Sequence, residues 1–523
     1  MKKLVIVILL GISLSAQAQK NVLLKQSFWQ SKPDASQVKA EVEKGNSPSQ
    51  LNPMSFDPVV MAINAQAPNE SINYLLSQPG NDVNKLTHDS RTYLHWAANR
   101  GNVEIMEALI AKGAKATIGD SHGMTPLNFA AAGGQPNTQV YDLCLRSGAD
   151  LKKDLNHDGA NALLVAVAND KDLKLTDYFV SKGLNLKSTD AAGNNAFSYA
   201  AKSGNIDLLK ALLQKGVPAN DNAMIMASQG GRRGANTLEV FQYLESLNIK
   251  PTATNRNGEN VLHAIVRRPK QNEIIQYFLG KGVDVNQADE EGNTVFMNAA
   301  ASNRDVAVLE MLLPKVKNIN QGNQKGTTAL AMAVQGNSTE VVSYLLSKGA
   351  DVAVMDKKGD NLAAYLVQSY KANNGPRLDG PREGGPGAQG GPRPEGSQRP
   401  ENANGPRTDD FDTKLKLLQE KGLDITAPQK NGNTLYHLAV AKNDLSLVKR
   451  LEPFQIDVNS KNKEGITALH KAAMISKDDS MLKYLLSIGA KKDIPTNFKE
   501  TAFDLASENE SLAKNNVSVN FLK

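Results

Sequence analysis

The feature that most constrains this chain is its self-similarity. The stretches "RTYLHWAANRGNVEIMEALIAKGA", "MTPLNFAAAGGQPNTQVYDLCLRSGAD", "TTALAMAVQGNSTEVVSYLLSKGAD" and "ITALHKAAMISKDDSMLKYLLSIGA" superpose readily. Each opens at a polar residue that recurs as Asp57, Thr92, Thr125, Asn161, Asn195, Asn222, Asn260, Thr294, Thr328, Asn361, Thr434, Thr467 and Thr501. Most spacings lie close to 33 or 34 residues. A period of that size marks a supersecondary unit that cannot bury its apolar face alone and stacks on copies of itself. With 523 residues the chain is too long for one small core, and 40% hydrophobic but 5% aromatic residues suit stacked helices better than sheets.

The register has a physical reading. Thr, Asn and Asp satisfy the orphan amides of a first helical turn, and Pro126 follows Thr125 where proline is tolerated. Five residues after the cap stands a small residue, including Ala97, Ala130, Ala166, Ala200, Ala299, Ala333, Ala439, Ala472 and Ala506, which lets a neighbouring helix approach closely. A second helix with apolar residues at helical spacing follows, as in Val341, Val342, Leu345 and Leu346. It ends at a glycine such as Gly113, Gly148, Gly349 or Gly489. One unit is predicted to be a helix, a turn, a helix and an extended loop.

The core T-P-L-H-x-A-A appears almost intact at Thr125 to Ala131, Thr467 to Ala473 and Thr92 to Ala98. In motif and period the chain resembles the ankyrin repeat family. The resemblance implies an all-α ankyrin-repeat solenoid of about 13 helix-turn-helix repeats with extended loops, expected to run as one continuous array from about Asn52. The sixth copy, "NAMIMASQGGRRGANTLEVFQYL", departs from the pattern: it lacks the histidine and carries extra residues before its second helix.

The step from Asn361 to Thr434 is 73 residues where one repeat needs about 33. The excess is a Gly/Pro/Arg-rich tract, so Asn361 to Tyr370 reads as the first helix of the tenth repeat and Phe411 to Lys421 as its second. The tract, 371–410, is predicted to be a disordered insertion within one repeat and not a domain boundary, since loop closure costs grow only logarithmically with length. "GPR" recurs at Gly375, Gly380, Gly391 and Gly405 without a period of three, which excludes a collagen helix. The tract has no aromatic residue to stack on bases, which argues against a nucleic-acid segment. The remaining boundaries are a signal peptide over 1–18, an N-terminal cap over 19–51, repeats over 52–370, and repeats with a C-terminal cap over 411–523.

The N-terminus "MKKLVIVILLGISLSAQAQK" has two lysines, an apolar run and an A-x-A arrangement at Ala16 and Ala18, the pattern of a cleavable secretory signal. The run is too short for a membrane helix. No later stretch reads as spanning, and no cysteine near the cleavage point could carry a lipid, so a periplasmic or secreted, monomeric protein is expected, with no membrane insertion of the mature chain. The net charge of +6 is small for this length and implies no polyanionic partner such as nucleic acid. A single cysteine, Cys144, excludes an internal disulfide and sits where sister repeats carry apolar residues.

Signals for catalysis are weak. His95, His263, His437 and His470 occupy or adjoin the motif's histidine position, where hydrogen bonding between repeats is expected. His88, His122 and His157 fall in successive loops, but repeats a helix diameter apart, about 10 Å, do not bring ligands to within about 2 Å of one zinc. No phosphate-binding glycine loop, G-x-S-x-G or C-x-x-C is present, so no metal, no cofactor and no catalytic residue is assigned. The resemblance implies that loop tips and first-helix ends line a docking face for proteins. Candidate partner-binding residues are a basic rim of Arg232, Arg233, Arg267, Arg268, Lys270 and Arg304, and loop-tip residues Glu290, Glu291 and Lys325. The expected function is a protein-protein interaction scaffold; the alternatives are an inhibitor or immunity protein neutralising an exported enzyme or toxin, and an enzyme of undefined chemistry.

Overall fold

The structure, a computed structural model, describes residues 21–231, 234–370 and 410–523. The signal stretch 1–18, the tract 371–409 and Arg232 and Arg233 lie outside the described residues. The described residues are helical, with isolated bridges such as Thr189 to Asn195 and Met355 to Asn361 closing the loops, and no longer strand among them. They form two compact units, one up to residue 200 with 207–218, the other from 219 onward with 201–206. The division falls just before the sixth repeat, and the described residues flanking the Gly/Pro tract on both sides belong to the second unit.

In the first unit, helix pairs such as Tyr93–Arg100 with Val103–Ala111 and Pro126–Ala132 with Thr138–Arg146 stack in chain order. In front of them, residues 21–46 carry short helices that bury Trp29 completely, its Nε1 donating to the Leu23 carbonyl at 2.8 Å. Cys144 is buried, and burial pushes its thiol up to about 12. Within the second unit, helix pairs such as Val295–Ser302 with Val306–Leu312, and Ala329–Gly336 with Thr339–Ser347, stack in the same way. The alanines five residues past the caps are all buried, as close helix approach requires.

The caps behave as their chemistry dictates. Thr294 and Thr328 accept from the amides of Met297 and Ala331, and Asn161 and Asn361 from those of Leu164 and Ala364. The exception is the sixth repeat. Its helix, Asn222–Gln229, begins at the residue expected to cap it, and Asp221 stands in the cap position. Asp221, with helical backbone angles (φ −62°, ψ −27°), makes no cap bond, and its Oδ1 accepts the Lys250 amide at 3.1 Å.

Helices Leu362–Ser369 and Phe411–Glu420 pack as the two helices of one repeat, on either side of the tract. Tyr370 and Phe411, at the two ends, meet edge to face with centroids 5.4 Å apart. In the two preceding repeats the ninth residue after the cap is an asparagine bridging to the repeat before it. Asn303 Nδ2 donates to the Val266 carbonyl at 2.8 Å, and Asn337 Nδ2 to the carbonyls of Ala300 and Asn303 at 2.8 and 2.7 Å. In the tenth repeat that place belongs to Tyr370. Lys414, from beyond the tract, supplies the missing donor: its buried Nζ reaches the carbonyls of Val334 and Asn337. Burial lowers the Lys414 ammonium pKa, and the charge of Asp410 opposes that shift.

Candidate interaction surface

The motif histidines are spent on architecture. In His95, Nδ1 accepts the Thr92 amide at 3.1 Å, which leaves the proton on Nε2 to be donated to the Met124 carbonyl of the next loop at 3.0 Å. His437 repeats this with Thr434 and Ile466, and His470 with Thr467 and Ile494. Each ring therefore ties a cap to the following loop. Burial drives His95 down to about 4 and lowers His263, His437 and His470. His88 Nδ1 lies 2.9 Å from the Met54 carbonyl, and the His122 carbonyl accepts the His157 amide at 3.0 Å. Among the described residues no three His, Cys, Asp or Glu side chains are grouped to hold a metal.

The loops are built alike. In most of them an Asp or Asn opens the tight turn and its side-chain oxygen accepts two amides within it; Asp356 Oδ1, for example, accepts those of Lys358 and Asp360, both at 2.9 Å, while Gln429 and Thr496 open two of the later turns. Three residues on comes a glycine with positive φ, such as Gly359 at 85°. That glycine is also where the next tip sits: a Cβ on Gly359 would lie 2.1 Å from Lys430 Cβ, and one on Gly432 2.8 Å from the Lys463 amide nitrogen. Tips in the second unit are joined by backbone bonds, Gln324 to the Glu291 carbonyl at 2.9 Å, Lys357 to Lys325 at 2.9 Å, Lys430 to Gly359 at 3.1 Å and Lys463 to Asn431 at 3.1 Å.

The expected contact residues fall in three places. Arg267 and Arg268 line a cleft of about 320 Å³ with Ile225, Glu259, Asn260 and His263. Neither guanidinium is idle there: Arg267 donates to Asn298 Oδ1 at 2.8 Å, and the half-buried Arg268 to the Gln229 carbonyl. Lys270 is exposed, with φ of 60°. Arg304 acts on a different neighbourhood; with Lys414 it helps hold the Glu340 carboxyl low, behind the larger effect of the Ser338 hydroxyl. Glu290, Glu291 and Lys325 are exposed on adjacent tips. Sequence reasoning passed over the lysines that follow them, Lys357, Lys358, Lys430, Lys463 and Lys499, all exposed. Their signal was the four-residue turn frame: its second and third columns hold Lys357, Lys358, Lys430 and Lys463, and its fourth, where most turns carry glycine, holds Lys499.

Comparison with known proteins agrees with this architecture. The family model described as "Ankyrin repeats (3 copies)" matches residues 59–152, 136–223, 163–255, 223–315, 262–356, 410–496 and 436–519. Among curated proteins, the chain is similar to the phosphocholine transferase AnkX of Legionella pneumophila, 25% identical over 185 residues, covering 32% of this chain and 18% of that protein. It is 28% identical over 132 residues to the mouse RelA-associated inhibitor, covering 25% of this chain and 16% of the inhibitor. Over 133 residues it is 27% identical to human neurogenic locus notch homolog protein 1, covering 25% of this chain and 5% of that protein. The chain thus spans less than a fifth of the length of each.

Proposed function

Because the chain belongs to the ankyrin repeat family, we propose that it is a non-catalytic, monomeric scaffold that binds another protein outside the cytoplasm, through its loop tips and first-helix ends. The observation that carries this reading is how the reactive groups are used. His95, His437 and His470 have both ring nitrogens committed, Nδ1 to the cap of their own repeat and Nε2 to the loop that follows. Cys144 is buried as a protonated thiol. What remains for chemistry with the outside is a series of tips held in register by backbone bonds, a preorganised surface that loses little entropy on docking. Export rests on the N-terminal lysines, apolar run and A-x-A site. Among the described residues no helix is long and apolar enough to cross a membrane.

Cross-linking the mature protein in the exported fraction, followed by identification of the adduct, tests this. The expected result is a discrete protein partner whose capture fails when tip residues are altered. Capture of nothing, together with a turnover that survives tip substitution, overturns it. A partner that is an exported enzyme or toxin, silenced on binding, assigns the scaffold to the inhibitor class, towards which the likeness to the RelA-associated inhibitor points.

A further inference from the structure

In the second unit the tips change sign along the stack. Glu290 and Glu291 on one tip are followed by Lys325, then by Lys357 and Lys358, then by Lys430, Lys463 and Lys499 on successive tips. All six lysines are exposed, and none forms an ion pair among the described residues. Of the carboxylates in these turns, Asp356 accepts two amides and the Tyr365 hydroxyl, Asp360 Oδ2 accepts the Gln368 amide, and Glu464 stands exposed beside Lys463. Lys357, Lys430 and Lys463 hold the same place in three consecutive turns, each with its amide bonded to the preceding tip. Their backbones are therefore held at the repeat spacing while their ammonium groups stay in water.

We propose that this row docks an acidic segment of a partner protein lying along the tips in a polyproline II conformation, with one carboxylate at every third residue. The proposal rests on the scaffold reading and names the chemistry of its partner. The argument is one of pitch. Stacked repeats are spaced by about one helix diameter, roughly 10 Å. A polyproline II segment has three residues per turn and rises about 3.1 Å per residue, so the same face returns about every 9 Å. A carboxylate in each triplet then meets Lys357, Lys430 and Lys463 in turn, and the flexible lysine stems absorb the residual mismatch. A β-strand does not fit, because side chains three apart point to opposite faces. A nucleic-acid strand fits poorly, since the row offers one aromatic ring, Phe498 at its end, where a stacking platform needs several.

The probes are two synthetic peptides of one composition, repeated Glu-Pro-Pro triplets and an isomer with all glutamates in one block, measured by fluorescence anisotropy on the mature protein at low ionic strength. The triplet peptide is expected to bind more tightly than the block isomer, and to weaken steeply as salt approaches physiological strength, where the screening length is about 8 Å. Combined K357E, K430E and K463E should weaken it about tenfold or more. The same charge change at the exposed Lys416, Lys421 and Lys477, off the row, should do little, and unchanged circular dichroism shows that both variants are folded. Equal binding of the two isomers overturns the pitch argument. Equal loss in the two triple variants overturns the row. Tighter lysine-dependent binding of phosphatidylglycerol vesicles or single-stranded DNA than of the triplet peptide overturns the choice of partner. A cross-linked partner that ignores the K357E, K430E and K463E changes would refute this inference and leave the scaffold reading standing.

Discussion

Acid should loosen the stack through the motif histidines, and the size of the effect follows from His95. Its Nδ1 accepts the Thr92 amide, a bond that a proton on Nδ1 abolishes, and the ring is fully buried. Its pKa lies at about 4, against 6.5 for the free side chain. Between those values the unfolded chain binds a proton that the folded chain refuses. Stability therefore rises with pH across that window; it is complete above about 6.5 and lost as the pH falls to about 4. At about 1.4 kcal/mol per pKa unit, His95 alone accounts for on the order of 3 kcal/mol. His263, His437 and His470 shift in the same direction and add to the slope. A repeat array does not unfold as one two-state body, so the assay is local: histidine ring resonances followed through a pH titration, with hydrogen exchange of the Ala97 and Ala98 amides alongside. His95→Gln should remove about 3 kcal/mol of the pH dependence of protection in helix Tyr93–Arg100. A His95 that titrates near 6.5, or protection in the variant that still falls as steeply between pH 6.5 and 4, would refute the reasoning.

Three further perturbations separate local causes. Lys414→Ala leaves the Val334 and Asn337 carbonyls without their donor and should cost about 1–3 kcal/mol, read as faster exchange and a lower urea midpoint for the repeats on either side of the tract. Gly359→Ala should cost more than Gly349→Ala. Both sit at positive φ, 85° and 89°, but only Gly359 has Lys430 Cβ where its own Cβ would go; equal thermal midpoints would count against tip packing. Deleting 373–407 and joining the ends by a short turn should leave helical content and thermal midpoint nearly unchanged, because Tyr370 already meets Phe411 and Lys414 already bonds the preceding repeat; a marked loss of stability would show that the tract carries packing of its own.

What could be read in advance divides by range. Caps, buried alanines and terminal glycines are decided within a few residues, and twelve of the thirteen predicted caps stand where the sequence placed them. The thirteenth, Asn222, lies inside its helix with Asp221 in the cap position, and the Asp221 carboxylate accepts the amide of Lys250, 29 residues away. Arg267 and Arg268 looked like free charges beyond a helix end. Their guanidiniums are held by Asn298 and Gln229, partners 31 and 39 residues distant that no window on the sequence displays. The loop tips lay between these extremes: their turn chemistry was local and legible, but the alignment of lysines in successive turns emerges only when the turns are laid over one another.

The tract shows how far such a stack can be interrupted. A repeat is joined to its neighbour by a few fixed donors, one of which is the asparagine at the end of the first helix. An insertion at that point removes the donor's position from the register, since the chain must leave the stack where the asparagine would sit. The tenth repeat answers with a longer side chain from its second helix, and Lys414 spans the distance that Asn303 and Asn337 cover from the first. The ammonium is lodged among carbonyls at a desolvation cost visible in its lowered pKa. Stacks of this kind therefore tolerate long excursions between the two helices of a repeat when the bond to the preceding repeat can be supplied from the far side of the break. The donor to look for in such a sequence is a lysine on the inner face of the helix that resumes the pattern.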